Sequence, residues 1–310
     1  MPRDLPALRR NLFDWHRRHA LPAPWRDARD PYLVLIAATM AQQTQMSRVL
    51  AKYEAFVAAF PTIESLAAAS TADVLRAWAG LGYNMRAPRL HRAARHVVEH
   101  GGWPRDAADL QRIEGVGPCT AAVIASFAFG RPVAAVDTNV RRIISRLEGD
   151  ITGSMPARTV DARAEELLSR RAPGRWNQAL MDLGAIVCTA RAPRCGACPL
   201  ARWCRARPVF ARARSLPRAA EARASYRAQP AYRHSRRYYR GRIVDALRAL
   251  PDGGSLSPAQ LFAHVRALTA DTSPQGRGEN GLDTAGLRAI IESLVRDGLA
   301  RVQRGRVSLP

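Results

Sequence analysis

The sequence predicts a mainly α-helical chain that carries one tight cysteine loop and ends in a small separate domain. Three observations predict it. Apolar residues recur at helical spacing through residues 1–187, four of the five cysteines fall between Cys188 and Cys204, and the composition changes abruptly after Cys204. Leu33, Ile36, Met40 and Val49 open the helical pattern; Leu66, Val74, Leu75 and Trp78 continue it, then Leu90, Ala93, Ala94 and Val97. Little before Cys188 alternates as a half-buried strand should, apart from the short run Val133–Val136. Residues 205–242 hold twelve arginines against one acid, Glu221, with Tyr226, Tyr232, Tyr238 and Tyr239 among them. This reads as a basic linker over 208–240, either a solvated tether or a segment that orders on phosphate.

A domain is expected over 241–310, with helices near Arg242–Ala249, Pro258–Leu268 and Thr284–Asp297. Ser257 and Gln260 make a capping box for the second helix. Residues 271–281 read as a loop, and Ala300–Leu309 alternates about Arg304 and Gly305 like a β-hairpin. Three helices and a terminal hairpin are winged-helix-like, an arrangement that binds DNA or other proteins.

At 310 residues the chain is long enough for about two or three compact units. Lys+Arg 48 against Asp+Glu 26 gives a net charge of +22, which points to a polyanionic partner, nucleic acid first. A GC-rich genome that inflates arginine is the alternative source of that charge. Hydrophobic content of 47% excludes a disordered chain. No stretch reaches the length of a membrane span, about 18 apolar residues, and the N-terminus has no apolar signal core. A cytoplasmic, nucleoid-associated monomer is expected.

The cysteine loop reads Cys188-x6-Cys195-x2-Cys198-x5-Cys204. Four thiolates so close together suit a [4Fe–4S] cluster, with a four-cysteine zinc site as the alternative. A second motif, Ile113-Glu114-Gly115-Val116-Gly117-Pro118-Cys119-Thr120, precedes the apolar run Ala121–Phe129. One helix ends, two glycines turn the chain, and another helix begins; amides there can cradle a phosphate. Twenty residues after Gly117 comes Asp137, in Val136-Asp137-Thr138-Asn139-Val140-Arg141-Arg142. An acid at a helix start is either an N-cap or a reacting group.

Together these motifs resemble the helix-hairpin-helix DNA glycosylase superfamily, and the cysteine spacing resembles that of endonuclease III and MutY. Further blocks look like MutY: Pro24-Trp25-Arg26, Asp30-Pro31-Tyr32, Gln42-Gln43-Thr44-Gln45, Trp78-Ala79-Gly80-Leu81-Gly82-Tyr83, Arg86-Ala87, Leu90-His91 and Asn177–Ala185. The resemblance covers about residues 5–207. It implies a two-lobed helical fold with double-stranded DNA across the cleft. One lobe spans 31–136; the other joins 1–30 with 137–207 and the [4Fe–4S] loop. By the same resemblance Asp137 is catalytic. Gln43 and Tyr83 wedge into the duplex, and Thr44, Gly115, Gly117, Thr120, Asn139, Arg191 and Arg194 meet DNA. Trp25, Arg26, Ala38, Cys119 and Gln178 line the base pocket.

Three departures from MutY bear on activity. Ala38 stands where MutY carries its essential glutamate, and no acid occurs between Asp30 and Glu54. Cys119 stands at the hairpin position of the endonuclease III Schiff-base lysine. The C-terminal oxoguanine-reading domain of MutY is replaced by the winged-helix-like segment. Lys52 is the only lysine and reads as exposed, and arginine does not deprotonate to attack a sugar, so no AP-lyase activity is expected. A packing role for Cys119 is favoured over a nucleophilic one. Adenine needs ring protonation to leave, whereas uracil and thymine leave as anions. The first expectation is therefore a monofunctional base-excision glycosylase acting on uracil or thymine opposite guanine. An adenine glycosylase without the usual glutamate is the alternative, and a catalytically inactive lesion-binding protein is the third reading.

Overall fold

The computed structural model describes residues 4–212, 232, 235–269 and 283–310. The chain divides into two compact units, Met1–Ala38 with Trp103–Ala228 and Thr39–Gly102 with Gln229–Pro310. Residues 103–136, with the hairpin, fold with the cysteine loop, and the C-terminal helices fold with residues 39–102.

The first unit holds α1 (Leu5–His19), most of α2 (Pro31–Ala41), α7 (Ala107–Leu110), α8 (Pro118–Phe127), α9 (Thr138–Leu147), α10 (Ala157–Leu167), α11 (Pro173–Ile186) and α12 (Arg207–Arg212). In α1 the apolar side chains Leu8, Leu12 and Trp15 recur on one face, and the Asp4 carboxylate accepts from Ala7 N–H at 3.0 Å as N-cap. Their face joins Val140, Ile143 and Ile144 of α9 and Trp176, Leu180 and Leu183 of α11 in one core. Full burial of each such side chain contributes about 1.5–3 kcal/mol. Cys188, Cys198 and Cys204 pack against the edge of that core.

The run Val133–Val136 forms no strand pair among the described residues. Side chains take the partner's place: Ala134 N–H donates to Glu165 Oε1 at 2.7 Å and Ala135 N–H to Asn177 Oδ1 at 3.1 Å. Asn177 is buried and also donates to Ser126 Oγ and the Val133 carbonyl. One amide thus ties α8 and α11 to the extended segment that delivers Asp137.

The second unit holds the C-terminal end of α2, then α3 (Met46–Ala59), α4 (Ile63–Ala68), α5 (Thr71–Ala77) and α6 (Arg86–Glu99). Phe56 meets Trp78 edge-on at 5.8 Å within its core. The same unit includes α13 (Arg236–Arg248), α14 (Pro258–Thr269), α15 (Thr284–Arg296), and the antiparallel strands β1 (Arg301–Gln303) and β2 (Arg306–Ser308). The expected three helices and hairpin are present. Ser257 and Gln260 form the reciprocal cap, at 2.9 and 3.2 Å. Arg304 and Gly305 turn the hairpin with positive φ, and Leu256 adds a bridge to Val307. Helix α13 starts at Arg236, six residues before the expected Arg242, because Ser235 caps it. Most of the expected linker and all of the 271–281 loop lie outside the described residues. No helix among the described residues is long and apolar enough to cross a membrane.

Candidate active site

Asp137 is the N-cap of α9. Its Oδ1 accepts from Val140 N–H at 2.7 Å, and its Oδ2 accepts from Asn139 Nδ2 at 3.1 Å. Burial pushes its carboxyl above the ordinary value, against the opposing pull of these two donors and of Arg142. The cap and the carboxyl expected to react are therefore one group.

A continuous relay leads from Asp137 to the cysteine loop. Asn139 Oδ1 accepts from Arg142 Nη2 at 2.8 Å; Arg142 also donates to the Gly184 carbonyl at 2.9 Å and the Cys188 carbonyl at 2.7 Å. One turn on, buried Arg146 donates to Cys188 Sγ at 3.3 Å and to the carbonyls of Thr189 and Ala190. Gly184 makes the approach of α11 to α9 possible: a Cβ there would lie 2.5 Å from Asn139 Cβ.

The thiols of Cys195, Cys198 and Cys204 are all pushed up, Cys198 to about 12, by burial first and then by the neighbouring cysteines. Among the described residues, no three His, Cys, Asp or Glu side chains are placed to hold one metal ion. A cubane takes four cysteine thiolates, one to each iron, and this loop supplies four cysteines, none of them in a disulfide.

The hairpin turns through Gly115, at φ +86°, while Gly117 has an ordinary φ of −82° and caps α8. Only the first glycine is required by a left-handed backbone. Thr120 is buried behind the turn. Cys119 is also drawn in, and burial followed by the Asp137 carboxylate pushes its thiol up to about 12. A neutral thiol at physiological pH is a poor nucleophile, in keeping with a packing role.

In the second unit, Gln43 and Tyr83 share an unusual backbone. Among the described residues, three non-glycine positions take positive φ: Gln43 at 54°, Tyr83 at 44° and Arg304. Such strain collects where a side chain must be presented. Tyr83 is 54% exposed. Both loops are held by Arg86, which sequence reasoning placed in a motif but not in the site. Its Nη1 donates to the carbonyls of Thr39, Met40 and Gln42 at 2.6–2.9 Å. Its Nη2 donates to Thr44 Oγ1 at 2.9 Å and to the carbonyls of Leu81 and Gly82 at 3.1 Å. The guanidinium also lies over the Trp78 and Tyr83 rings, at 5.2 and 5.6 Å. Burial lowers its pKa to about 10, so it stays charged at neutral pH.

This chain is similar to known proteins along nearly its whole length. Residues 36–170 match the model of the HhH-GPD superfamily of base excision DNA repair proteins, and 188–204 match the iron–sulfur binding domain of endonuclease III. An adenine DNA glycosylase of Mycobacterium tuberculosis is 39% identical over 97% of this chain and 92% of its own length. The chain belongs to the adenine DNA glycosylase family. It is a DNA N-glycosylase, and its 188–204 loop carries a [4Fe–4S] cluster. The human adenine DNA glycosylase is 38% identical over 66% of this chain, which spans 40% of that protein. A solved thermostable thymine-DNA glycosylase covers 66% of this chain and is itself covered over 97%, at 27% identity and a TM-score of 0.62. An endonuclease III–DNA complex shares the fold at 24% identity and a TM-score of 0.57, covering 67% of this chain and 99% of its own.

The remaining expected residues of this family member have varied settings. Arg26 is tied inward: its Nη2 donates to buried Asp182 at 2.8 Å, its Nε to the Leu21 carbonyl, and its Nη1 to Gln178 Oε1 at 3.3 Å. Gln178 returns a bond to the Arg26 carbonyl at 3.0 Å. Trp25 and Ala38 are half-buried. Arg191 and Arg194 are both exposed, and Arg194 also donates to the Ile186 carbonyl at the end of α11. Lys52, expected to be exposed, is half-buried; a Cβ on Gly80 would lie 3.3 Å from its Cε, so its alkyl stem packs on the 78–83 loop.

Proposed function

We propose that this glycosylase releases adenine from mispaired double-stranded DNA. The observation that carries the reading is the 39% identity to the M. tuberculosis adenine DNA glycosylase across 97% of this chain. That match extends past the cluster loop into the C-terminal segment. Replacement of an oxoguanine-reading domain by a winged-helix-like one therefore does not argue against adenine. The pyrimidine expectation drawn from Ala38 loses its first place to this likeness.

In the proposed reaction Asp137 is the catalytic group. Its carboxylate, ionised, faces the positive charge that develops at the sugar as the base departs and accepts a proton from the attacking water; the C1′–N bond breaks as the C1′–O bond forms. Val140 N–H and Asn139 fix the carboxylate for that task. Residues Cys188, Cys195, Cys198 and Cys204 hold the cluster, which when bound crosslinks the loop through iron–thiolate bonds. Gln43 and Tyr83 support extrusion of the base. Adenine takes its ring proton from solvent water, because Ala38 offers none, and the proton that Asp137 accepts returns to solvent, so native adenine release is expected to be slow. General acid catalysis is worth about 10²–10⁴ in rate, which is the gain expected in Ala38→Glu.

Ala38 also favours a second reading, release of thymine or uracil, in line with the likeness to a thymine-DNA glycosylase at 27% identity. Single-turnover excision on duplexes with adenine, uracil, thymine or hypoxanthine opposite guanine, oxoguanine, adenine or thymine separates the two. Adenine release, lost in Asp137→Asn, supports the main reading. Pyrimidine release alone replaces it with the second. Binding without any release replaces both with a lesion-binding protein.

A further inference from the structure

The C-terminal segment reaches the turn that presents Tyr83. Helix α13 packs against α5 within the second unit. At its last residue, Arg248 Nη2 donates to Asn84 Oδ1 at 3.0 Å, while Nη1 donates to Asp245 Oδ1 at 3.2 Å. The Arg248 side chain is 7% exposed, and its buried Nε has no hydrogen-bond partner among the described residues. A second clamp, Arg76 to Asp252 at 2.7 Å, crosses the same seam, but Asp252 is 89% exposed and contributes little.

A buried guanidinium with an unfilled donor is a poor way to hold two helices together; a leucine would pack without a desolvation cost. What Arg248 adds is direction. Its acceptor, Asn84, directly follows Tyr83 at φ +44° and precedes α6, whose Arg86 and Ala87 amides donate to the Tyr83 and Asn84 carbonyls. Trp78 Nε1 and Arg86 already hold the Gly82 carbonyl on the near side of the turn. Arg248 holds the far side.

We propose that the C-terminal helix–hairpin segment is a brace for the wedge: Arg248 fixes Asn84, and through it the strained turn that presents Tyr83, so the segment sets how readily the target nucleotide is extruded. The inference rests on the reading of Tyr83 as the wedge. Arg248 and Asn84 are positioning residues; neither is assigned contact with the reacting atoms.

The test uses the full chain, cluster loaded, in an Asp137→Asn background, with 2-aminopurine as the target base and its fluorescence rise as the measure of extrusion. Tyr83→Ala is expected to remove the rise. Arg248→Met and Asn84→Ala should each slow it about tenfold, the effect of losing one charge-assisted hydrogen bond. Their double variant should be no slower than either single one, and Asn84→Asp, which keeps the acceptor, should restore the rate. Affinity for undamaged duplex should not change, which a general loss of folding would not permit. If Tyr83→Ala removes extrusion while Asn84→Ala and Arg248→Met extrude at the native rate, or if their losses add, the brace is wrong and the wedge stands. If Tyr83→Ala extrudes normally, the wedge reading falls first.

Discussion

Asp137 and Tyr83 sit in opposite kinds of surroundings. The carboxylate is half-buried on ordinary extended backbone, at φ −90°, with hydrogen-bonded neighbours out to the first cluster cysteine. The tyrosine is 54% exposed on left-handed backbone, and its neighbours are tied down instead. In the first region the stored cost is electrostatic, a charge that burial disfavours. In the second it is conformational, of the order of 1–3 kcal/mol for each residue held in a sparsely populated region. Chemistry on a glycosidic bond needs a fixed charge shielded from water, while parting a base stack needs a rigid side chain that stands in solvent until DNA arrives. The difference fits the two tasks proposed for these residues.

The largest effect should come from Asp137→Asn. Excision should fall by at least about 10²–10³, as when a preorganised electrostatic group is removed, while stability at neutral pH should rise. The sign follows from the raised pKa. The native state holds this proton more tightly than the unfolded chain, so the associated stability is complete below the unfolded value, about 3.9, and is lost as pH rises through the folded value. Asparagine removes that loss and still caps α9. Thermal melting at pH 7 should show the variant ahead, with the gap closing as the pH falls toward 4. A variant that is less stable at pH 7 would mean that the carboxylate is not strained by burial.

Arg86→Met attacks the second region. Methionine keeps the stem beside Trp78 but removes the donor shared by five carbonyls and Thr44. About 3–5 kcal/mol of stability should be lost, as for a buried charged group deprived of its partners in reverse. Arg86→Lys should recover only part, because three ammonium donors cannot serve six acceptors in a plane. Denaturant unfolding of both variants, alongside excision, checks this. Equal stability in the lysine variant and the native protein would show that the charge, not the fork, holds the loops.

Much of this was legible in the sequence. The cysteine spacing pointed to the cluster, and the Ser257–Gln260 cap and the hairpin turn stand where the local pattern puts them, because each depends on residues a few positions apart. Arg86, Asn177 and Arg248 were not legible as organisers. Their partners are backbone or side-chain atoms about 40–160 positions away, and no periodicity encodes such a contact. The first turns of α13 look like linker for a related reason: Arg236–Arg240 shows no apolar stripe, and Ser235 becomes a cap only once Tyr239 finds a core. Asn177, joining α8 to α11, has no local signature.

Gly184→Ala should have a smaller effect, confined to the first region. Its methyl group would meet Asn139 Cβ at 2.5 Å, so α9 and α11 must separate or Asn139 must turn. Overpacking of this kind costs about 1–3 kcal/mol. Because Asn139 holds Asp137 Oδ2, excision should fall beyond what the remaining folded fraction explains, whereas 2-aminopurine extrusion should not. A matched fall in both would mean that the substitution does not act through Asp137 alone.

Ser257→Ala should have the smallest effect, and it limits the brace most sharply. Ser257 Oγ satisfies the Gln260 amide and Gln260 Oε1 returns the bond, so alanine removes half of a reciprocal cap at an exposed helix start. About 1 kcal/mol is the usual loss. The cap lies on α14, away from the Arg248–Asn84 bond at the end of α13. If a firm C-terminal segment acts on Tyr83 through that one bond, then loosening α14 by this amount leaves extrusion at the native rate while Arg248→Met slows it. If Ser257→Ala slows extrusion as much as Arg248→Met does, the turn responds to the stability of the whole segment and Arg248 has no special part in it.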